Sequence, residues 1–269
     1  MMLTEVAAQM EDWSAAAGRT AMASFRHTGD LVFKAGHQAV TAVDRRIETT
    51  WRELIAREYP DDLIVGEELG GPGSATIGDQ DRVWYLDPID GTLNYAAGLP
   101  GFCTSLALLQ GKQVLAACVH QPATGDMFTA VRGGGARLNG EPIRVSGRAP
   151  LNAAVISAQL RRDGPLVAQP DFLRTLCHNA MKVRFTGAIA LELAWTAAGF
   201  YDGLVAGFPE AIHLYDVAAG MLLVQEAGGV VSDFRGQAFQ AGGRTLLASN
   251  GRIHGELVAC AVENIPSRP

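Results

Sequence analysis

Val83-Trp84-Tyr85-Leu86-Asp87-Pro88-Ile89-Asp90-Gly91-Thr92-Leu93 decides how this chain reads. Its first four residues form an apolar run of the kind found in buried strands. Two carboxylates then stand three apart at the strand's exit, and Pro88 biases Asp87 toward an extended backbone. The spacing predicts a tight turn that turns the Asp87 and Asp90 side chains and the Ile89 carbonyl toward one point, with Gly91-Thr92 opening the next element. Mg²⁺ takes oxygen ligands of this kind in near-octahedral geometry. An Asp-Pro turn with Asp90 as a plain helix cap fits the same residues.

Upstream, apolar periodicity predicts a helix over 4–26, with Met10, Trp13, Ala17 and Met22 on one face, and a second over 44–59, with Ile47, Trp51, Leu54 and Ile55 inward. Pro60-Asp61-Asp62 stops the second helix. Ile64-Val65 reads as a short strand ending at Gly66-Glu67-Glu68, and 70–81 as a glycine-rich surface loop. Downstream, strands are expected at 83–86, 104–109, 114–120 and 127–131, and Asn139-Gly140 is a hairpin signal. Gly133-Gly134-Gly135 lacks the third glycine and the following helix of a dinucleotide fingerprint, so it reads as a turn.

The texture changes near Val145–Pro150. Beyond it, strands (153–157, 183–185, 230–231, 246–248) alternate with helices (188–198, 217–227, 253–262), and 204–214 reads as a long loop. The expectation is a single domain over 1–269, strand-rich to about residue 146 and alternating from about 147, layered around a shared core.

Composition bounds the function. The chain has 269 residues, 48% of them hydrophobic and 19% charged, which is globular rather than disordered. The net charge of −6 and the lack of a basic stripe argue against a nucleic-acid surface. Met1–Trp13 lacks the basic flank and apolar core of a signal peptide, and no apolar run is bilayer-length, so a soluble cytoplasmic protein with no membrane partner is expected. Cys103, Cys118, Cys177 and Cys260 have no zinc-ligand spacing and read as small buried hydrophobes.

Elsewhere, Tyr215-Asp216-Val217-Ala218-Ala219-Gly220 places one aspartate at the start of an apolar helix, where a plain N-cap also fits. Lys34 and Asp44 bracket Val40-Thr41-Ala42-Val43 just before the second helix. His213, three residues before Asp216, reads as structural, Glu192 as an exposed or helix-paired side chain, and Trp13, Trp51 and Trp195 as core or subunit contacts.

Together these residues resemble the inositol monophosphatase family of Mg²⁺-dependent, lithium-sensitive phosphatases, over nearly the whole length. The family signature W-x-x-D-P-I-D-G-T-x-N-[FY] stands here as Trp84 to Tyr95, the G-E-E element as Gly66-Glu67-Glu68, and the W-D-x-A-A-G signature as Tyr215 to Gly220, with Tyr for the usual Trp. The resemblance implies a layered α/β/α/β/α sandwich of the sugar phosphatase type, usually a homodimer. It implies that Glu67, Asp87 and the Ile89 carbonyl hold a first Mg²⁺, that Asp87, Asp90 and Asp216 hold a second, and that a weaker third leans on Glu67. The Gly91 and Thr92 N–H groups would grip the phosphate at a helix start, and Thr92 paired with Asp44 would orient and deprotonate the attacking water.

Four carboxylates in one pocket call for cations. At about 5 Å and an effective dielectric near 20, each close pair costs on the order of 3 kcal/mol. Two Mg²⁺ ions about 3.5–4 Å apart would neutralise the cluster, generate the nucleophile and stabilise the leaving alkoxide. A third ion or the Lys34 ammonium would then offset the bound phosphate.

The departures from the family pattern fall where the alcohol would be read. Gln38 replaces the usual Asp before the second helix. The substrate-binding G-[ST]-A-A reads Gly187-Ala188-Ile189-Ala190, losing a hydroxyl and admitting a bulky Ile189. Position 209, where inositol-type members carry an acidic residue, is proline, with Glu210 one residue along. The expected activity is therefore hydrolysis of a small phosphorylated alcohol, such as inositol monophosphate or a sugar phosphate. Alternatives are a relative preferring nucleotides or bisphosphates (adenosine 3′,5′-bisphosphate, fructose bisphosphate, histidinol phosphate), or a protein that keeps the fold to serve an RNA-processing or transcription partner.

Overall fold

The computed structural model describes residues 2–27, 32–33, 39–40, 42–160 and 170–262. Helices α1 (Leu3–Ser24) and α2 (Ala42–Glu58) lead into a seven-stranded sheet. The sheet runs β3 (Leu63–Gly66), β4 (Arg82–Asp90), β5 (Cys103–Gln110), β6 (Gln113–Gln121), β7 (Asp126–Val131), β8 (Gly135–Leu138) and β9 (Glu141–Ile143), in chain order and antiparallel throughout except for the parallel β3–β4 pair. A two-stranded pair, β1 (Val32–Phe33) and β2 (Ala39–Val40), precedes α2. The β8–β9 hairpin closes through Asn139-Gly140, both at positive φ (51° and 83°), as a two-residue type I′ turn requires. Glu226 accepts the N–H groups of Gly133 and Gly135, so the glycine triplet is a tied turn.

The second sheet has the order β11 (Lys182–Arg184), β10 (Val155–Leu160), β12 (Gly203–Gly207), β14 (Thr245–Ser249), β13 (Val230–Ser232). Among the described residues the remaining helices are α3 (Thr92–Ala96), α4 (Pro170–Asn179), α5 (Ile189–Ala197), α6 (Leu214–Glu226) and α7 (His254–Val262).

Three apolar clusters define the layers. Met10, Trp13 and Ala17 of α1 and Ile47, Trp51 and Ile55 of α2 pack on Trp84, Leu86, Leu106 and Leu108, one face of the large sheet. The opposite face of that sheet (Cys103, Ala107, Val119) meets α5 and α6, which in turn cover Leu204, Ala206, Leu246 and Ala248 of the second sheet. Phe172 and Leu176 of α4 and Leu257 of α7 close the far side against Ile156, Val205 and Leu247. The order is α/β/α/β/α, the layered sandwich expected. Alternation along β5 and β6 sends successive side chains into two different cores, which is why both strands are buried over most of their length, all but Gln110 of β5 and Gln113 and Leu115 of β6. No helix among the described residues is long and apolar enough to cross a membrane.

Four expectations change. The tight turn at Asp87–Asp90 is instead continuous strand: β4 runs through Pro88 to Asp90, and its register against β5 shifts between Asp87 and Asp90. A bulge leaves proline's missing N–H without a ladder partner to disappoint. The long loop from 204 is in its first part a fully buried central strand, β12, hidden from pattern reading because a strand covered on both faces does not alternate. Cys177 is exposed, unlike the three buried cysteines. Glu192 is fully buried, for reasons given below.

Candidate active site

The site assembles where β4, the turn after β3, the first turns of α2, α5 and α6, and α3 meet. Asp87 and Asp90 are buried on β4 (1% and 8% exposed), and Asp44 is wholly buried on α2. Glu67 sits just past β3, and its N–H donates to the Leu86 carbonyl at 3.1 Å, one residue before Asp87. Asp216 lies in the first turn of α6.

Burial holds the Asp87 carboxyl well above the usual carboxylate range, and the charges of Glu67, Asp90 and Asp216 push it further in the same direction. Charges from two other chain segments, and from Asp90 on its own strand, thus act on the Asp87 carboxyl. Tyr215 reports the same field. Its phenol is driven up by burial, then by Asp216, Glu67, Asp87 and Glu68, and its ring stacks on His213 at 4.8 Å. Among the described residues no three acidic, histidine or cysteine side chains stand at the spacing of a closed ion cage. The donor set nevertheless fits a hard divalent cation. It is all oxygen, and Asp87 Oδ1 is buried with no hydrogen-bond partner, an acceptor whose desolvation goes uncompensated within the protein.

Asp90 is built differently. Its Oδ1 accepts the Ile189 N–H at 3.2 Å, and its Oδ2 accepts those of Ala190 (2.7 Å) and Leu191 (3.3 Å) and faces the Cys103 thiol at 3.6 Å. The carboxylate therefore caps α5, a helix about a hundred residues away, and not the adjacent α3, whose N-cap is Gly91. Burial pushes Asp90 up to about 6 against the lowering effect of those N–H groups. Oδ1 carries a single N–H donor, so one of its lone pairs remains for a cation.

Gly91 needs to be glycine. Its φ is +86°, and a Cβ there would lie 2.9 Å from the Gly101 carbonyl and 3.0 Å from the Ala188 methyl. The Thr92 hydroxyl lies 2.9 Å from the Ile89 carbonyl and 3.5 Å from Asp44 Oδ1, so the expected Thr92–Asp44 pair is in reach while the hydroxyl sits closer to the carbonyl. Asn94, from the same motif, donates to the carbonyls of Gly101 (2.6 Å) and Thr186 (2.8 Å).

The Gly187-Ala188-Ile189 stretch enters α5 beside Asp90. Ile189 is 5% exposed and packs into the central core, so what it offers this site is its N–H; a side chain standing open to the alcohol is not what the structure has. Glu210 is exposed between β12 and α6. Lys34, Gln38 and Thr41 lie outside the described residues. Sequence reading missed Glu192, whose buried carboxylate accepts the Thr186 and Gly187 N–H groups (3.1 and 3.0 Å) and the Gln159 amide (2.8 Å). Burial pushes it up to about 7. It also missed Glu48, whose only signal was its place four residues after Asp44 on one helix face.

The sequence model of the inositol monophosphatase family matches residues 2–267. The chain belongs to that family. It is similar to a Dictyostelium discoideum inositol monophosphatase (35% identical, covering 87% of this chain and 86% of that one). It is similar also to a Thermotoga maritima fructose-1,6-bisphosphatase/inositol-1-monophosphatase (37% identical, 81% and 80%) and to a Xylella fastidiosa Nus factor SuhB (40% identical, 72% and 68%). Among solved structures, the Thermotoga maritima IMPase superposes with a TM-score of 0.86 at 33% identity, covering 94% of this chain and 95% of that one. The inositol monophosphatase fold is thus shared over essentially the whole chain.

Proposed function

We propose that this protein hydrolyses the phosphate monoester of a small alcohol, an inositol or sugar phosphate, by Mg²⁺-assisted attack of water. The observation that carries the reading is the convergence on Asp87 of the charges of Glu67, Asp90 and Asp216, with one Asp87 oxygen buried and unpartnered. Two or three Mg²⁺ ions held by Glu67, Asp87, the Ile89 carbonyl, Asp90 and Asp216 would supply charge neutralisation and an activated water. The chain's own residues do the rest. Asp44 takes a proton through the Thr92 hydroxyl, with which it is already in reach. The Gly91 and Thr92 N–H groups hold the phosphate, and Asn94 keeps the 101 and 186 loops at fixed distance from α3.

The alcohol side falls to the backbone of the Gly187–Ile189 stretch, whose Ala188 and Ile189 side chains are buried, and to the exposed Glu210. Here a bisphosphate preference has support from the Thermotoga relative, a fructose-1,6-bisphosphatase/inositol-1-monophosphatase. A second reading, a transcription role for the same fold, has support from the relatives named Nus factor SuhB. The presence together of Glu67, Asp87, Asp90, Thr92 and Asp216 favours turnover. As the resemblance implies, we take the assembly to be a homodimer inhibited by Li⁺, and from the composition we take it to work in the cytoplasm; light scattering on the purified chain tests the stoichiometry. The deciding experiment is phosphate release from a panel of inositol, sugar, nucleotide and bisphosphate esters, with Mg²⁺, with chelator, and with Mg²⁺ plus Li⁺. Release that requires Mg²⁺ and is ranked by the alcohol supports the reading. No release from any ester under any metal would overturn it in favour of the transcription role.

A further inference from the structure

Glu48 is wholly buried on α2, four residues after Asp44 and so on the same helix face. Its Oε2 accepts the Glu68 N–H at 2.7 Å and its Oε1 the Leu69 N–H at 3.1 Å. Arg52, one helical turn further, donates Nε to Oε1 at 2.8 Å and reaches with Nη2 to the Gly70 carbonyl. The turn they grip is closed on itself, Gly66 N to Gly70 O at 2.9 Å and Gly70 N to Gly66 O at 3.1 Å. A Cβ at Gly66 would lie 2.1 Å from Glu48 Oε1. Glycine at 66 is therefore what admits the carboxylate beneath the turn.

Within that turn, Glu67 is the residue whose charge weighs most among the neighbours of Asp87. Its backbone is held from two sides: its own N–H by β4 at Leu86, and the next two N–H groups by Glu48. A carboxylate so placed is a buried charge matched by two N–H donors and a guanidinium, an arrangement that fixes geometry more than it adds stability. We propose that Glu48 is a positioning residue that holds the Gly66–Gly70 turn so that Glu67 meets the metal beside Asp87, and that Mg²⁺ affinity is thereby set from α2. The inference rests on the metal reading of Glu67 given above. Because Asp44 rides on the same face, one helix places both the water-orienting acid and the grip on the metal-binding turn.

The test is direct Mg²⁺ binding by titration calorimetry, read beside the metal-free Tm. Glu48→Gln keeps size but puts an amide N–H against one of the turn's N–H donors. Gly66→Ala displaces the Glu48 carboxylate without touching it chemically, and carries the test if the first variant does not fold. Ile55→Val, a core change on the same helix that removes none of the turn's hydrogen bonds, controls for lost stability. Losing an outer partner of a metal ligand lowers affinity by roughly 10–100-fold. That loss is expected for Glu48→Gln and Gly66→Ala, with Ile55→Val binding as the unaltered protein does, even where its Tm falls as far. Unchanged Mg²⁺ affinity in both turn variants would overturn the proposal. Glu67→Gln separates the two claims: if it weakens Mg²⁺ binding while the turn variants do not, only the role of Glu48 falls; if it too is without effect, the metal reading of Glu67 falls with it.

Discussion

Asp90 Oδ2 and the Ala190 N–H are 2.7 Å apart, a hydrogen bond that joins the last residue of β4 to the first turn of α5 across a hundred residues of chain. The same carboxylate is a proposed metal ligand, so one side chain closes the first half of the site against the second. The two duties make opposite demands. Burial raises Asp90 to about 6, which means that the surroundings as a whole disfavour its charge.

Asp90→Asn should therefore separate function from stability. An acid whose folded value lies above its unfolded one costs stability once pH exceeds the unfolded value, and the full cost is reached above the folded one. Here that window runs from about 4 to about 6. At pH 8 and without metal, the variant sheds a buried charge but turns an amide N–H toward one of the α5 N–H groups, opposing effects that should leave its Tm within a few degrees of the unaltered protein's, while the rise in Tm on adding Mg²⁺ and nearly all turnover disappear. A full Mg²⁺ shift in the variant would place the metal elsewhere.

Glu192, which is not itself a proposed metal ligand, provides a pH signature of its own, to which the neighbouring Asp90 charge adds. Its value is raised from 4.5 to about 7 by burial, so the folded protein holds a proton that the unfolded chain releases across that interval. Stability should fall as pH rises from about 4.5 to about 7 and level off above, by up to about 3 kcal/mol for this group alone. In Glu192→Gln, with the Gln159 amide free to turn over to meet the new N–H donor, that part of the slope should flatten. Denaturant titrations of both proteins between pH 5 and 8 measure it, and parallel curves would sink the assignment.

Thr92 and Asp44 should act on rate rather than on metal. Thr92→Val removes the hydroxyl while keeping shape. Turnover should fall roughly 100- to 10,000-fold, the range for a lost proton-transfer partner, with the Mg²⁺-induced rise in Tm intact. Asp44→Asn should cost a similar factor, and the double variant little more than either, because the two would work as one unit. Additive losses in phosphate-release kinetics would mean that the pair is not coupled.

Gly91→Ala should be costly to the fold itself. The left-handed conformation penalises a Cβ by about 1–2 kcal/mol, and contact with the Gly101 carbonyl at 2.9 Å adds to this. A loss of roughly 2–4 kcal/mol in urea unfolding is expected. A loss under about 0.5 kcal/mol, within the range of ordinary surface changes, would show that the neighbouring backbone gives way.

Local pattern served well wherever one face of an element meets water. The inward residues of α1 and α2, apart from the exposed Met22, and the Asn139-Gly140 turn are readable because period and turn chemistry are local properties; the strands from 83 to 131, with a core on each face, show instead as long apolar runs, which the short β12 between Gly203 and Gly207 does not. The motif residues Glu67, Asp87, Asp90 and Asp216 stand out for the same reason. What stayed hidden is set by remote partners. Glu192 looks like a surface acid on an apolar helix until the 186–187 loop folds back to donate to it. Asp90 looks like a local cap until α5 arrives to use it, and β12 has no alternation to show because both of its sides are covered. Glu48 gave no sign beyond its spacing from Asp44, since the part proposed for it depends on a turn brought to it by β3.

The tie between Asp90 and α5 is made wholly to main-chain N–H groups, which every residue but proline possesses. It cannot distinguish Ile189 from a serine or an alanine. Side chains at 188–190 can thus differ, within what the central core admits, without loosening the joint that keeps the phosphate end in place. In this chain Ala188 and Ile189 stand at that place, and the joint is intact.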